Sequence, residues 1–428
     1  TMRFSHPNQK EGSAAASRLL PASKTLTQRG SFRRALLLAL ATSAGFSSAF
    51  EAYPRPVYIR SAGAYLPNEP ICNEDLETHI GGFEGKGSRI VRLVRDNILK
   101  ANGITSRHFA MKNEKPTHLN LDLAANAAHD ALKHSDGVSL ADVDMIATGT
   151  SSPDIPMPGF ANLLHGKLGA THSVDCLSSA GVCTSSTNAM KAAVNAVALG
   201  QHDKALVCGS ETASHSLNSQ YLQQYLSKKD NPMSGLFLRY MLSDGAGCAL
   251  LDTSPHPTGL SYRVDGFYHH SFAYRFPPCM MVGTTTGPGK EIKVEELYKF
   301  NDLHLGMRIQ QDIELLKKNI IPLGKEALQY AIEKKGFPAE GVDWVVPHLS
   351  SHMFFDEFAS HIHDVLGIEK DKIWTNLSSV GNVGAASMPL LLWGMLRDNP
   401  QMKKGDRVLV IIPESGNFSY HYILLTVV

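Results

Sequence analysis

From Val57 to the C terminus, short apolar runs bounded by turn residues alternate with longer amphipathic stretches, and this confines the chain to α/β layers. Val57 to Pro67, Val143 to Gly149, Lys204 to Cys208, Gly247 to Leu251, Val342 to Pro347, Val408 to Ile412 and Tyr420 to Val428 read as strands. Leu121 to Lys133, Pro156 to Leu168, the stretch after Cys183, Leu303 to Lys335, Phe354 to Leu366 and the segment opened by Gly381 to Gly384 and running through Met395 read as helices. Asn73 to Glu77 looks like a capped helix start. The regions before Asp252 and before Val428 both finish with a helix and then two strands, which predicts a duplicated architecture.

With 428 residues, 43% hydrophobic and 19% charged, the chain has room for two packed halves and the make-up of a globular enzyme. Its net charge of +1 conceals an asymmetry. Residues 1–56 hold eight Lys/Arg against two acids, which leaves the remainder near −5. That balance, without a basic stripe interleaved with aromatics, argues against nucleic acid as a partner. In the first fifty residues, Ser31-Phe32-Arg33-Arg34, the apolar run Ala35 to Ala41 and Ser47-Ser48-Ala49 have a signal-like layout, although the Ser/Ala/Arg-rich thirty residues ahead are closer to a transit peptide. The run is too short for a stable membrane span. The expected organisation is a disordered or targeting extension over 1–56, a first half over 57–253 and a second over 254–428.

The six cysteines lack CxxC or zinc-ligand spacing, so no metal and no cofactor is expected. Cys176, Cys208 and Cys248 lie in small or apolar surroundings suited to buried reduced thiols, and a reducing, cytoplasmic compartment fits them. His361 and His363 lie two apart on a helix and face different ways, which is no metal pattern.

Cys183 is the exception. It opens a helix, where backbone N–H groups and the positive end of the dipole favour an anion, so a lowered pKa and a nucleophilic thiolate are expected. The plain alternative is a small buried hydrophobe. Three islands downstream also stand out: His348 directly after a strand, Asn382 in the glycine-flanked turn Gly381 to Gly384, and Gly416 in a turn between the last two strands. Singly they read as a core histidine, an N-cap and a hairpin glycine.

Together they resemble the β-ketoacyl-acyl-carrier-protein synthase III family of the thiolase superfamily. Gly63-Ala64-Tyr65-Leu66-Pro67 and Asn73 to Glu77 look like its opening strand and helix, and Asn102-Gly103-Ile104 with Arg107 like its Thr-Gly-Ile-Arg-x-Arg segment. Ser243 to Gly247 matches its Gly-Asp-Gly-Ala-Gly entry, and Cys183 through Gly200 to Gly209-Ser210 keeps its spacing. Pro347-His348, Gly381-Asn382 and Ala385-Ala386-Ser387 fall on its His and Asn motifs. The likeness spans roughly residues 57–428. The same spacing excludes the rival Cys176, which also lies inside an expected strand.

The resemblance implies a thiolase-like layered α-β-α-β-α fold of two duplicated halves. It also implies a catalytic set of Cys183, His348 and Asn382, with an oxyanion hole from the N–H groups of Cys183 and Gly416. Cys183 would carry the acyl group. His348 and Asn382 would stabilise the enolate formed when a malonyl-type thioester loses CO₂, and a C–C bond would follow. Acyl carrier protein, acyl-CoA or both would be partners. A homodimer is implied, with Met157 near the partner's acyl tunnel.

Departures narrow this reading. The family's tryptophan that stacks on coenzyme A falls on Asn97, its flanking arginines on Ala101 and Thr105, and a carrier-contacting cation near Met353. Two long inserts, about 214–238 and 266–295, are similar to features of relatives that join two acyl chains in alkylresorcinol or pyrone assembly. The second is either a surface loop with its own small core or a wall of a wide acyl pocket. The alternative function is a non-decarboxylating acyltransferase to an oxygen or nitrogen nucleophile. A non-catalytic scaffold partner would have lost the nucleophile, and a secreted binding protein would need a working signal.

Overall fold

Alternation along each strand decides the architecture. The computed structural model describes residues 52–83, 88–220, 232–283, 287–290 and 309–428. These residues belong to one compact unit that begins at Ser48. The extension expected over 1–56 lies outside them except for its last residues, as do parts of both inserts.

Among the described residues nine strands build the main sheet: β1 (Tyr58–Tyr65), β2 (Met145–Thr150), β3 (Asp175–Ala180), β4 (Ala205–Glu211), β5 (Gly245–Asp252), β6 (Tyr262–Ser271), β7 (Trp344–Pro347), β8 (Arg407–Glu414) and β9 (Ser419–Val427). Their spatial order is β7-β8-β9-β6-β1-β5-β4-β2-β3. In the first half β2 runs parallel to β3 and β4, while β5 is antiparallel to both β4 and β1. In the second half β7 is parallel to β8, and β9 is antiparallel to both β8 and β6. The position equivalent to β3 is marked by a single parallel bridge between Val345 and Ile373. The same strand plan therefore occurs twice, joined where Tyr58 and Ile59 pair with Arg263 and Tyr262.

The principal helices are α1 (Ser88–Asn102), α2 (Asn120–Lys133), α3 (Phe160–Leu168), α4 (Ser185–Ala198), α5 (Pro232–Met241), α6 (Ile313–Lys335), α7 (Phe355–Leu366) and α8 (Ser387–Asp398). Ile146, Leu206, Cys208 and Leu250 point to one side and pack with α2 and α3. Val345, Leu409, Ile411 and Leu424 do the same toward α6 and α7. The intervening residues, among them Ala147, Val207, Leu251, Val346, Val410 and Ile423, share one core with Met190 and Val194 of α4 and Met388 and Leu391 of α8. Since successive strand residues face opposite sides, α4 and α8 form a central layer and the α-β-α-β-α stack follows. Gly149 permits this closeness, since a Cβ there would lie 2.1 Å from the Ser186 nitrogen.

Several expectations need correction. Helix α6 starts at Ile313, not Leu303: the Asp312 carboxylate caps it by accepting from Leu315 N–H at 2.9 Å, and Gln310–Gln311 pairs with Met280–Met281. Residues 303–308 lie outside the described residues. Helix α3 starts at Phe160, leaving Pro156 and Pro158 in the approach loop. The turn at Gly381 does not open α8 directly, because a 3₁₀ turn at Gly384–Ala386 intervenes. Cys208 and Cys248, read from sequence as reduced thiols, face each other across β4 and β5 with Cα atoms 4.1 Å apart and form a disulfide. Register created that pairing, and cysteine spacing in the sequence carried no sign of it.

Candidate active site

Cys183 lies in the turn between β3 and α4, one residue ahead of the N-cap Thr184, and is buried. It therefore sits just outside the helix. Thr184 is bound by a residue from the other half: Glu414, at the end of β8, accepts its N–H at 3.3 Å and also its hydroxyl. A carboxylate thus already occupies the anion-favouring helix end.

This overturns the expected thiolate. Burial is the largest influence on Cys183 and pushes its thiol up, and the negative charges of Glu414 and Glu211 push it further. The N–H groups of Cys183 and Ser415 pull in the opposite direction without prevailing. Cys183 rests as a neutral thiol. Cys176 is half-buried within β3, where burial and Asp175 also raise it.

Gly416 is packed against this turn. A Cβ on it would lie 2.9 Å from Glu414 Oε1 and 3.1 Å from Val182 Cγ2, so only glycine fits without displacement. Its carbonyl accepts from Cys279 and Met280 N–H at 2.8 and 3.2 Å, and Ser415 Oγ lies 3.5 Å from Met280 Sδ. The second insert thus abuts the turn beside Cys183, while Phe272 and Cys279 join the core of the second half.

His348 follows β7, where its N–H donates to the Ile411 carbonyl at 2.8 Å. Its ring is buried, and among the described residues Nε2 has no hydrogen-bond partner. Burial holds the imidazole down to about 4, so it is neutral at physiological pH. Asn382 is fixed from both sides: its carbonyl accepts Ser243 N–H at 2.8 Å, and its Oδ1 accepts Gly384 N–H at 3.2 Å. Gly381, at φ +80°, makes the preceding bend, with Ser243 where a Cβ would point. His348 lines a cavity with Leu377, Val380 and the two neighbours of Asn382, Gly381 and Val383.

Cys183 does not line that cavity, and Glu211 provides the link. This buried carboxyl at the end of β4 accepts Ser151 N–H at 2.9 Å, Ser151 Oγ–H at 2.8 Å, the Ser152 hydroxyl, and Ala385 N–H at 3.2 Å. Burial is its dominant influence and raises it to about 7, against the lowering effect of those donors. One side chain therefore connects the end of β2, the turn of Asn382 and the electrostatics of Cys183. Sequence reasoning assigned no role to Glu211 or Glu414, and their only signal was a carboxylate at the end of an otherwise apolar strand. Met157 is 82% exposed on the loop after β2. Among the described residues no three His, Cys, Asp or Glu side chains cluster to hold a metal.

The C-terminal model of 3-oxoacyl-[acyl-carrier-protein] synthase III matches residues 332–421, and the thiolase N-terminal domain model matches residues 104–251. These two segments carry His348 and Asn382, and Cys183, respectively. In these segments the chain is similar to the synthase III family of the thiolase superfamily. It is 27% identical over 368 residues to β-ketoacyl-[acyl-carrier-protein] synthase III of Neisseria gonorrhoeae (strain NCCP11945), covering 86% of this chain and 98% of that relative. Among solved structures, FabH of Pseudomonas aeruginosa PAO1 superposes with a TM-score of 0.64 at 19% identity, covering 87% of this chain and 98% of that one. The tetronic acid condensing enzyme AbyA1 gives 0.66 at 19% identity, covering 86% and 99%. A variant of OleA from Xanthomonas campestris gives 0.67 at 18%, covering 88% and 100%. These likenesses show the same fold.

Proposed function

We propose that this chain is a member of the synthase III family and a decarboxylating acyl-thioester condensing enzyme, with Cys183, His348 and Asn382 as its catalytic set. The observation that carries the reading is the buried, unpartnered Nε2 of a neutral His348 in a cavity framed by the turn of Asn382. A buried polar atom without a partner is costly, and a thioester oxygen entering the cavity would relieve that cost.

In the first half-reaction the Cys183 sulfur attacks an acyl thioester. The S–C bond to Cys183 forms, the bond to the donor sulfur breaks, and the thiol proton ends on the departing thiol. The Cys183 and Gly416 N–H groups receive the oxyanion. In the second, a malonyl-type thioester loses CO₂, and its electron pair is held as an enolate by donors from His348 and Asn382. The enolate carbon attacks the acyl carbonyl, the C–C bond forms, and the Cys183 sulfur leaves and regains a proton. A neutral imidazole suits this role because it can donate to an oxyanion without giving up a full charge.

Acyl carrier protein, acyl-CoA or both supply the thioesters, and the chain works as a homodimer with Met157 facing the partner's acyl tunnel. Among the described residues no helix is long and apolar enough to cross a membrane, and we place the enzyme in the cytoplasm. The decisive experiment supplies an acyl donor and carboxyl-labelled malonyl thioester and measures released CO₂ against product. One CO₂ per product supports condensation. Acylated product without CO₂ release would replace it with acyl transfer to an oxygen or nitrogen nucleophile.

A further inference from the structure

Helix α1 turns an unusual face outward. Its sequence carries Arg89, Arg92, Arg95 and Lys100 against one acid, Asp96. Ile90 and Leu93, one turn apart on one side, are 68% and 63% exposed beside the exposed Arg89 and Arg92. Arg95 is engaged with Glu77 and Asp96. Among the described residues neither Arg89 nor Arg92 is ion-paired, and the only hydrogen bond either makes is a 3.4 Å contact from Arg92 to Ser88 Oγ.

The far end of this helix meets the site. A Cβ on Gly103 would lie 2.4 Å from His352 Cβ. Thr105 donates its N–H and its hydroxyl to the Ser378 carbonyl at 2.9 and 2.8 Å, and Ser106 Oγ–H reaches the Ser379 carbonyl at 3.1 Å. Ser378 and Ser379 lie within the Leu377–Val380 turn, whose two ends line the His348 cavity. From Leu93 to Asn102 the helix rises about 14 Å, so a flexible prosthetic arm attached to a protein on this face can reach the cavity.

We propose that Arg89, Ile90, Arg92 and Leu93 form the docking surface for an acidic acyl carrier protein that presents its thioester to the His348 cavity. This rests on the condensing reading and names its partner surface. Charge argues for that occupant: residues 57–428 are net acidic, so an acidic partner is repelled over most of the molecule and steered to a local cationic face. Two apolar side chains beside two guanidinium groups suit a protein helix with mixed acidic and apolar residues. They offer too little apolar area for insertion among lipids.

The test measures binding first, independently of turnover. An octanoyl-loaded bacterial type II acyl carrier protein, fluorescently labelled, is titrated with the full chain at low and high salt. Binding that weakens with salt, and falls about tenfold or more in Arg89→Glu/Arg92→Glu and in Leu93→Ser, supports the surface. Undetectable binding, equal binding by these variants, or equal loss from anionic vesicles without carrier would overturn it. Cys183 acylation by an acyl-N-acetylcysteamine, read by intact mass, should be the same in wild type and variants, which also shows that the variants fold. Loss of that acylation in wild type would instead count against the condensing reading, while the binding result still decides the surface.

Discussion

The carboxylate of Glu414 holds both the backbone N–H and the hydroxyl of Thr184, the residue next to Cys183, across the join between the two halves. The second half of the chain therefore helps to set the charge environment of a cysteine that belongs to the first. Replacing Glu414 by Gln keeps a carbonyl acceptor and removes the charge. The Cys183 thiol should then ionise at lower pH, because the charged neighbour disfavours the thiolate. The pH profile of iodoacetamide labelling at Cys183 should move to lower pH, and a profile shifted upward or unmoved would refute the argument.

Cys183→Ala should abolish acyl-enzyme formation, lowering turnover by at least about a thousandfold, while Cys176→Ala should acylate like the wild type. Intact mass after incubation with acyl thioester distinguishes them. An adduct on Cys183→Ala would reassign the nucleophile.

His348→Ala and Asn382→Ala should leave self-acylation largely intact and reduce condensation by about a hundredfold to a thousandfold. Burial also fixes the sign of a pH effect. The native imidazole protonates only near 4, whereas the unfolded one does so near 6.5. The unfolded chain therefore gains the proton first as pH falls, and this group's contribution to stability is complete above 6.5 and is lost toward pH 4. Denaturant midpoints between pH 7 and 4.5 should drop less in His348→Ala than in wild type.

Glu211→Ala strands the N–H groups of Ser151 and Ala385 and should cost about 2–4 kcal/mol. Glu211→Gln should be milder, because its amide can donate to the Ser151 and Ser152 hydroxyls, which rotate to accept. The native carboxyl keeps its proton up to about 7, against 4.5 unfolded, so rising pH across that window withdraws stability. Urea unfolding at pH 5 and 8 should show that slope in wild type and a smaller one in Glu211→Gln.

Much of this was legible in the sequence. Runs such as Val408 to Ile412 and Leu121 to Lys133 announce strands and helices by periodicity, and both fall within elements found in the structure. Cys183, His348 and Asn382 stand out as candidates because each is a reactive or donor side chain placed at the boundary of an element. Glu211 was harder, since its importance lies in partners 60 and 174 residues away. Cys208 and Cys248 were misjudged for a similar reason: only strand register places them opposite one another.

The sequence by itself determined the local alternation of strand and helix, the repeated plan of the halves, and which side chains are candidates for nucleophile and donors, because these depend on short-range periodicity and residue chemistry. Tertiary structure alone decided the protonation of those groups. Burial and neighbouring charge are properties of the assembled halves, so a cysteine whose helix end promised a thiolate is held as a thiol first by burial and then by a carboxylate more than two hundred residues away.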